Sequence, residues 1–232
     1  MGSADTRSLV RQVVEHAGTL PPALEADILA RGAEAVEPLL ELLWDESLVD
    51  VDGPGKGWAP LYAVWLLERL KDPVAIEPLV KRLLRTAPGE VLHDVLLDGL
   101  EAFGPAVAPV VLEALAHTRE PDARFGLFSV LSFCGARDER IYTALLEELQ
   151  EDPEHGAMDL ARYGDPRAIE PLQRALQAYP LEEGDLFALH AVVELESAIE
   201  ELGGTVDEAL REKVDQALRA RARLSLRSRS WE

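Results

Sequence analysis

Cysteine is almost absent from this sequence. Cys134 is the only cysteine among 232 residues, so the chain cannot form an internal disulfide and no redox framework is expected. Its neighbours in the segment FSVLSFCGA are apolar, which predicts a buried thiol without reactivity.

Basic residues are also scarce. The 23 Lys and Arg residues face 43 Asp and Glu residues, and the net charge is −20. An acidic body repels phosphate backbones, so we expect no nucleic-acid partner, whereas a basic protein or a cation would be attracted. Arginines do cluster at 219–232, but a basic tail of this kind can fold back onto an acidic body.

The sequence has no long hydrophobic run. No segment approaches the length of a membrane span, so we expect no membrane partner. The first residues, MGSADTRSLV, do not contain a basic segment followed by an apolar one, so no secretion by that route is expected and we predict a cytoplasmic protein. Long stretches of alternating polarity are also missing, which argues against strands.

What the sequence does contain is a repeat. The segments KDPVAIEPLVKRLL (71–84) and GDPRAIEPLQRAL (164–176) share Asp-Pro, Ala-Ile-Glu-Pro-Leu and a later leucine. The same frame recurs around Pro38 and Pro109, and Ala144 takes the place of the proline in another copy. Anchors that follow one another at intervals of 27 to 40 residues are typical of stacked helical pairs.

Each copy predicts two helices and a turn. Asp72 and Asp165 precede a proline, which suits an N-cap followed by Pro at the first helical position. A second apolar helix precedes each copy, as at 59–70 and 91–104, and the anchor prolines lie early in the helix that follows. Turns between the two helices need a residue in the left-handed conformation, and the glycines available for it are Gly32, Gly104, Gly135 and Gly164.

The frame D-P-x-A-I-E-P-L-x-x-x-L resembles HEAT repeats, especially the bacterial HEAT-like type also found in phycobilin lyases. The resemblance covers roughly residues 20–180 and is strongest at 71–84 and 164–176. It implies an all-α fold, a right-handed α-solenoid of five to six antiparallel helix pairs. It also implies that Asp165 and Arg167 tie their turn to a neighbouring helix, although Val74 replaces the arginine in the other strong copy.

We therefore predict one solenoid domain over 1–232 with atypical ends, because terminal helices of a stack must offer water a polar face. Its predicted parts are an N-terminal capping helix at 4–18, repeats at 20–180 with an exposed loop insertion at 45–58, longer capping helices at 183–223 (Glu183–Leu202 and Val206–Arg223), and a basic tail at 224–232.

Patterns that predict catalysis or metal binding are weak. The five histidines are scattered, with no pair at the i, i+4 spacing that places two ligands on one helix face. His93-Asp94 is similar to the dyad of metal phosphohydrolases, but the other ligands have no counterpart. The loop DVDGPGKG fits neither a P-loop nor an EF-hand, because Gly57 follows Lys56 and Gly53 comes too early. We predict no enzymatic activity, no cofactor and no metal.

A row of side chains along the second helices is the predicted partner-binding surface, since these helices line the concave side in HEAT-like stacks. The residues just before and three after each anchor should project away from the core: Glu37 and Glu41, Glu77 and Lys81, Ala108 and Leu112, Thr143 and Glu147, Glu170 and Arg174. We predict a strip that is acidic at its N-terminal end, with an apolar step at Leu112.

The aromatics Trp44, Trp58, Tyr62 and Trp65 either pack between units or form a hot-spot patch beside the loop, and Trp58 is predicted to be the most exposed.

These features predict a non-catalytic scaffold or adaptor that binds a basic protein, as a monomer or weak homodimer. An immunity- or inhibitor-type protein covering a basic partner is one specific form. The alternative is a phycobilin-lyase-like or other cofactor-handling role, to which only the resemblance points. A third reading, DNA-repair glycosylase activity on a HEAT-like stack, is disfavoured by the acidic balance.

Overall fold

The computed structural model describes the backbone of residues 3–181 and 186–228, with side chains described at 5–181 and 188–220. Within these ranges every regular element is an α-helix or a short 3-10 turn and no strand occurs, so the predicted all-α fold is confirmed. The helices are α1 Ser3–Arg11, α2 Pro22–Leu29, α3 Val36–Trp44, α4 Trp58–Leu70, α5 Ile76–Leu83, α6 Val91–Ala102, α7 Ala108–His117, α8 Pro121–Phe133, α9 Glu139–Glu151, α10 Pro153–Tyr163, α11 Ile169–Ala178, α12 Leu186–Glu201 and α13 Glu208–Ser228.

The chain divides into two compact units, Met1–Ala136 and Arg137–Glu232. In the first unit, α2, α4, α6 and α8 pack side by side in one layer, and α1, α3, α5 and α7 form a second layer. Contacts of α3 with α4, α5 with α6, and α7 with α8 join the two layers. This is the stacking of consecutive helix pairs that the repeat predicts.

The second unit follows the same plan with longer final helices. Helix α9 packs beside α11 and α10 beside α12, while α12 also contacts α11 and α13. A single domain over 1–232 and its right-handed superhelix stay predictions, since each unit is compact by itself.

The core between the layers consists of the apolar positions of the repeats. Leu39 and Leu43 of α3 and Leu79 and Leu83 of α5 are almost fully buried, as is Leu172 of α11. Burying a leucine side chain contributes roughly 1.5–3 kcal/mol, so the repeat's apolar positions are what hold each layer against the other.

The start of each strong repeat is capped as predicted. The carboxylate of Asp72 accepts a hydrogen bond from the Val74 N–H at 3.0 Å, and that of Asp165 accepts one from the Arg167 N–H at 3.0 Å. The proline that follows opens a short 3-10 turn before the α-helix begins. Pro78 and Pro171 are then the third residues of α5 and α11, where the missing N–H has no helical partner to lose.

The turns between paired helices use the left-handed conformation. All four predicted glycines have positive φ, between 57° and 74°. In the second pair no glycine is present, and Lys71 adopts φ of 51° instead. Its ammonium group donates a hydrogen bond to the carbonyl of Ala102 at 3.0 Å, so this turn is tied to the end of the neighbouring helix α6.

Most residues of the insertion at 45–58 are exposed, as predicted, but part of the insertion is packed against the rest of the unit. It contains two 3-10 turns, Glu46–Leu48 and Pro54–Gly57, and the Leu48 side chain is buried. The second turn lies on the 3-10 turn Gln12–Glu15, so close that a Cβ at Gly55 would stand 2.8 Å from the Val14 carbonyl oxygen. Helix α4 begins at Trp58, so the insertion itself spans 45–57.

At the C-terminal end, α12 and α13 correspond to the two longer helices predicted at 183–223. Residues 183–185 lie outside the described part, and the backbone of α13 continues to Ser228, into the predicted tail. The predictions made for the side chains of that tail, and for residues 229–232, lie outside the described residues.

Two smaller predictions concern helix length and the cysteine. No single helix of the described residues is long and apolar enough to cross a membrane; Val91–Ala102 and Gly104–His117 would qualify only together, and they are bent by 111°. Cys134 is buried, as predicted, and burial raises the pKa of its thiol.

Candidate functional site

The first part of the predicted strip is exposed on α3 and α5. Glu37 and Glu41 are the second and sixth residues of α3, and Glu77 and Lys81 hold the same places in α5. Between 46% and 82% of each acidic side chain is accessible. The helical period turns the neighbouring leucines inward and these charges outward, so their predicted exposure is confirmed.

These charges are partly paired. Arg7 of α1 donates to Glu41 from Nε at 3.0 Å and from Nη2 at 2.5 Å, and its Nη2 lies 4.0 Å from Glu37. Lys81 contacts Glu77 at 2.6 Å, one helical turn away. Exposed pairs of this kind contribute about 0–1 kcal/mol, so the carboxylates remain available to another cation. Sequence reasoning missed Arg7, because only the packing of α1 against α3 reveals its position.

The strip prediction is wrong by one residue in α7. Ala108 is buried at 4% exposure and Leu112 is half-buried, whereas Pro109 and Glu113 are exposed. Helix α7 begins at Ala108, so its third residue is Val110 and not the anchor proline. The predicted apolar step at Leu112 is therefore replaced by the carboxylate of Glu113.

The corrected positions give one surface on three helices of the same layer. We call it the acidic strip: Glu37, Glu41, Glu77 and Glu113.

In the second unit, the predicted strip residues lie on α9 and α11. Thr143, Glu147, Glu170 and Arg174 are all exposed, as predicted.

Arg174 borders two grooves. One has a volume of about 650 Å³, is mainly apolar and is lined by Leu146, Leu149, Gln150, Pro153, Pro171, Ala175, Ala178, Tyr179 and Pro180. The other, of about 560 Å³, has polar and apolar surface in about equal parts and includes Glu170, Thr205, Asp207 and Lys213.

Three of the clustered aromatics form a stripe along α4. The ring centroids of Trp58 and Tyr62 are 5.8 Å apart, those of Tyr62 and Trp65 are 5.5 Å apart, and those of Trp58 and Trp65 are 6.4 Å apart. Trp65 is exposed at 37% and Trp58 is only half-buried, so the prediction that Trp58 is the most exposed is wrong. Trp58 is the first residue of α4, where it follows the insertion.

Trp44 is separate from this stripe and lies against two guanidinium groups. Those of Arg82 and Arg85 are 5.6 and 5.4 Å from its ring centroid. Arg82 is buried, and its Nη1 donates to Glu46 Oε1 at 2.7 Å. This hydrogen bond lowers the pKa of the Glu46 carboxyl, and the pair fixes the start of the insertion to α5.

The predicted tie at Arg167 is present in the second unit. Its guanidinium contacts Asp165 Oδ2 at 2.7 Å and both carboxylate oxygens of Glu139, at 3.1 and 3.0 Å, and lies 4.3 Å from the Tyr142 ring centroid. The hydrogen bond to Asp165 is the main reason that the pKa of Arg167 is raised. The turn before α11 is thereby joined to the start of α9.

The weak copy of the repeat has a smaller version of this arrangement. Arg140 holds Asp138 through its guanidinium, with Nη2 at 2.6 Å from Oδ2, and this bond lowers the pKa of Asp138 to about 2.

A protein-family model matches part of the chain. The model of the PBS lyase HEAT-like repeat matches residues 155–178, which include most of α10, the Gly164 turn, the Asp165 cap and α11. The chain contains a HEAT-like repeat at residues 155–178. The match covers one repeat of the stack, so it identifies the building unit and carries no activity with it. No curated protein sequence gives a significant match.

The described residues of the chain do not form a cluster of metal ligands. In that part of the chain, no three His, Cys, Asp or Glu side chains lie close enough together to hold a metal ion. His93 is buried, with Nδ1 at 3.7 Å from the exposed Asp94 carboxylate. What the arrangement provides is charged and aromatic surface on rigid helices, which suits recognition.

Proposed function

We propose that this protein is a non-catalytic scaffold that binds a basic protein partner through the acidic strip. The observation that carries the proposal is the repetition of exposed carboxylates at equivalent positions on three adjacent helices, α3, α5 and α7. Packed helices lie about 8–10 Å apart, so the carboxylates extend over about 16–20 Å. A row of that length matches a protein surface better than a small ion.

Electrostatics supports a basic partner. Among the described residues, the ion pairs of the strip carboxylates are with Arg7 and Lys81, and the whole chain carries a net charge of −20. Complementary charge raises the association rate and excludes acidic competitors. An immunity- or inhibitor-type protein that covers a basic toxin or enzyme is one form of this function.

Charge reversal tests the proposal. The variant Glu37→Lys/Glu41→Lys/Glu77→Lys is compared with wild type in affinity capture from the native host, followed by mass spectrometry. The matched control, Asp94→Lys/Asp98→Lys/Glu101→Lys, changes the same charge on exposed positions of α6, in the other layer. We expect a basic protein that is captured by wild type and the control, lost with the strip variant, and released by salt. Identical captured sets for all three proteins would contradict the proposal.

The apolar groove in the second unit favours one alternative, a cofactor-handling role. Its volume of about 650 Å³ lies within the range of small-molecule sites, and α11 of the matched repeat contributes to it. Visible absorption of protein purified from the host separates the two functions. A chromophore that copurifies with wild type and is lost in Ala175→Trp, which fills the groove, would favour the alternative.

A further inference from the structure

A small cavity of about 260 Å³ lies beside the exposed end of the aromatic stripe in the first unit. The residues that line it are Gly18, Thr19, Leu20, Glu25, Tyr62, Trp65 and Leu66. Since a water molecule occupies about 30 Å³ in the liquid, the cavity exceeds one water several-fold and matches the scale of a single side chain. It belongs to the layer of α2 and α4, not to the acidic strip.

The cavity wall has an aromatic surface. Tyr62 and Trp65 meet edge to face, with ring centroids 5.5 Å apart at 64°. Tyr62 is buried at 3% exposure, and its hydroxyl makes no hydrogen bond to any residue that the structure describes. That oxygen is itself buried, so a ligand in the cavity would meet aromatic surface and not the hydroxyl.

A carboxylate completes the wall. Glu25 of α2 is 29% exposed, and its present partner is the guanidinium of Arg69, whose side chain is 55% exposed. The carboxylate is therefore already placed to accept a guanidinium at the rim. Solvent screens this exposed pair, which contributes about 0–1 kcal/mol and is readily exchanged.

We propose that this cavity is a recognition pocket for one arginine side chain of a protein partner. Trp65 supplies a ring for cation–π stacking, and the carboxylate of Glu25 accepts guanidinium N–H donors. Arginine suits these groups better than lysine, because its planar guanidinium both stacks on aromatic rings and donates to several acceptors at once. The pocket is independent of the acidic strip, so either site can exist without the other.

The test uses the full chain and Nα-acetyl-arginine amide as the probe, with binding followed by NMR of backbone amides and tryptophan indoles. We expect saturable shifts at the Trp65 indole and at the amides of Gly18 and Thr19. The isosteric citrulline probe, which lacks the charge, should bind on the order of tenfold more weakly. Trp65→Ala and Glu25→Gln should each weaken arginine binding about three- to tenfold.

One variant distinguishes recognition from a structural role. Arg69→Met should tighten arginine binding about two- to fivefold, because it removes the competing guanidinium. A merely structural contact between Glu25 and Arg69 would not predict tighter binding.

Phe133→Ala, at another exposed aromatic of the same unit, is the matched control and should bind like wild type. Equal shifts with arginine and citrulline, or binding that survives Trp65→Ala but not Phe133→Ala, would overturn the proposal. So would the absence of any saturable shift in wild type. None of these results bears on capture of a partner by the acidic strip, which is tested by its own charge-reversal variant.

Discussion

At the scale of single residues, the buried guanidinium of Arg82 organises the surroundings of the insertion. It lies under Trp44 of α3, and Glu46 at the start of the insertion is its ion-pair partner at 2.7 Å. A buried charge that loses its partner costs much more than an exposed pair contributes. The Arg82 side chain is only 6% exposed, whereas that of Glu46 is 63% exposed. The free-energy cost of breaking the pair therefore comes mainly from leaving the buried guanidinium without a partner.

Glu46→Gln should therefore lower the free energy of unfolding by about 1 kcal/mol near neutral pH, a value reduced by the exposure of Glu46. The folded-state pKa of Glu46 is lowered from 4.5, so its stabilisation is present above that value and is lost as the pH falls through the folded pKa. Urea unfolding near pH 7 and near pH 3 checks this. The difference in the free energy of unfolding between Glu46→Gln and wild type should be smaller near pH 3 than near pH 7. Glu77→Gln, at an exposed pair, should show a smaller effect, and equal losses for both variants would contradict the argument.

Which residue contacts could be predicted depends on their separation in the sequence. The cap of Asp165 joins atoms two residues apart, so the local motif was sufficient to predict it. Arg82 and Glu46 are 36 residues apart, and Arg7 and Glu41 are 34 apart. These pairs depend on how successive helices pack, and no local pattern marks the partner.

At the scale of elements, the C-terminal end of α11 is held by one side chain from α13. The Lys213 ammonium group donates to the carbonyl oxygens of Leu176 at 2.8 Å, Gln177 at 3.0 Å and Tyr179. Carbonyl groups at the C-terminal end of a helix have no hydrogen-bond partner within the helix. A cation placed there also interacts favourably with the negative end of the helix dipole. Burial lowers the pKa of Lys213, so part of the gain is offset by desolvation.

Lys213→Met should destabilise the second unit by about 2 kcal/mol, because it removes charge-assisted hydrogen bonds and keeps the apolar stem. Hydrogen–deuterium exchange should become faster at the amides of α11. Arg219→Met is the matched control on α13, since its guanidinium is exposed and lies 3.7 Å from Asp215. If both variants exchanged at the wild-type rate in α11, the carbonyl contacts of Lys213 would contribute nothing to holding that helix.

The limits of predicting elements are clearest in α7. The helix itself, the Gly104 turn before it and its early proline were all predicted correctly. Its register was not, because a proline is tolerated at the second helical position as well as at the third. Pro109 was therefore a poor anchor, and the buried residues Val107, Ala108 and Val111 show where the inward face lies. Because the observed register of α7 differs from the predicted one by one residue, the candidate site contains Glu113 at the position predicted for Leu112.

At the scale of the whole molecule, the repeat period and composition were sufficient to predict an all-helical stack, because each pair is built from local signals repeated along the chain. The site was less predictable. The cavity at Trp65 depends on Glu25 and residues 18–20 meeting α4, which follows from the packing of α2 beside α4 within one layer. Net charge, by contrast, is read directly from the sequence and has consequences for the complete chain.

An excess of 20 negative charges should make stability depend on ionic strength. Like charges repel one another more in the compact state than in the unfolded chain, and salt screens this repulsion. Raising NaCl from about 20 mM to about 500 mM should increase the free energy of unfolding by about 1 kcal/mol, measured by urea unfolding. The α6 variant Asp94→Lys/Asp98→Lys/Glu101→Lys reduces the net charge from −20 to −14, so its dependence on salt should be weaker. A wild-type protein that lost stability as salt rose would instead show that its ion pairs outweigh the net repulsion.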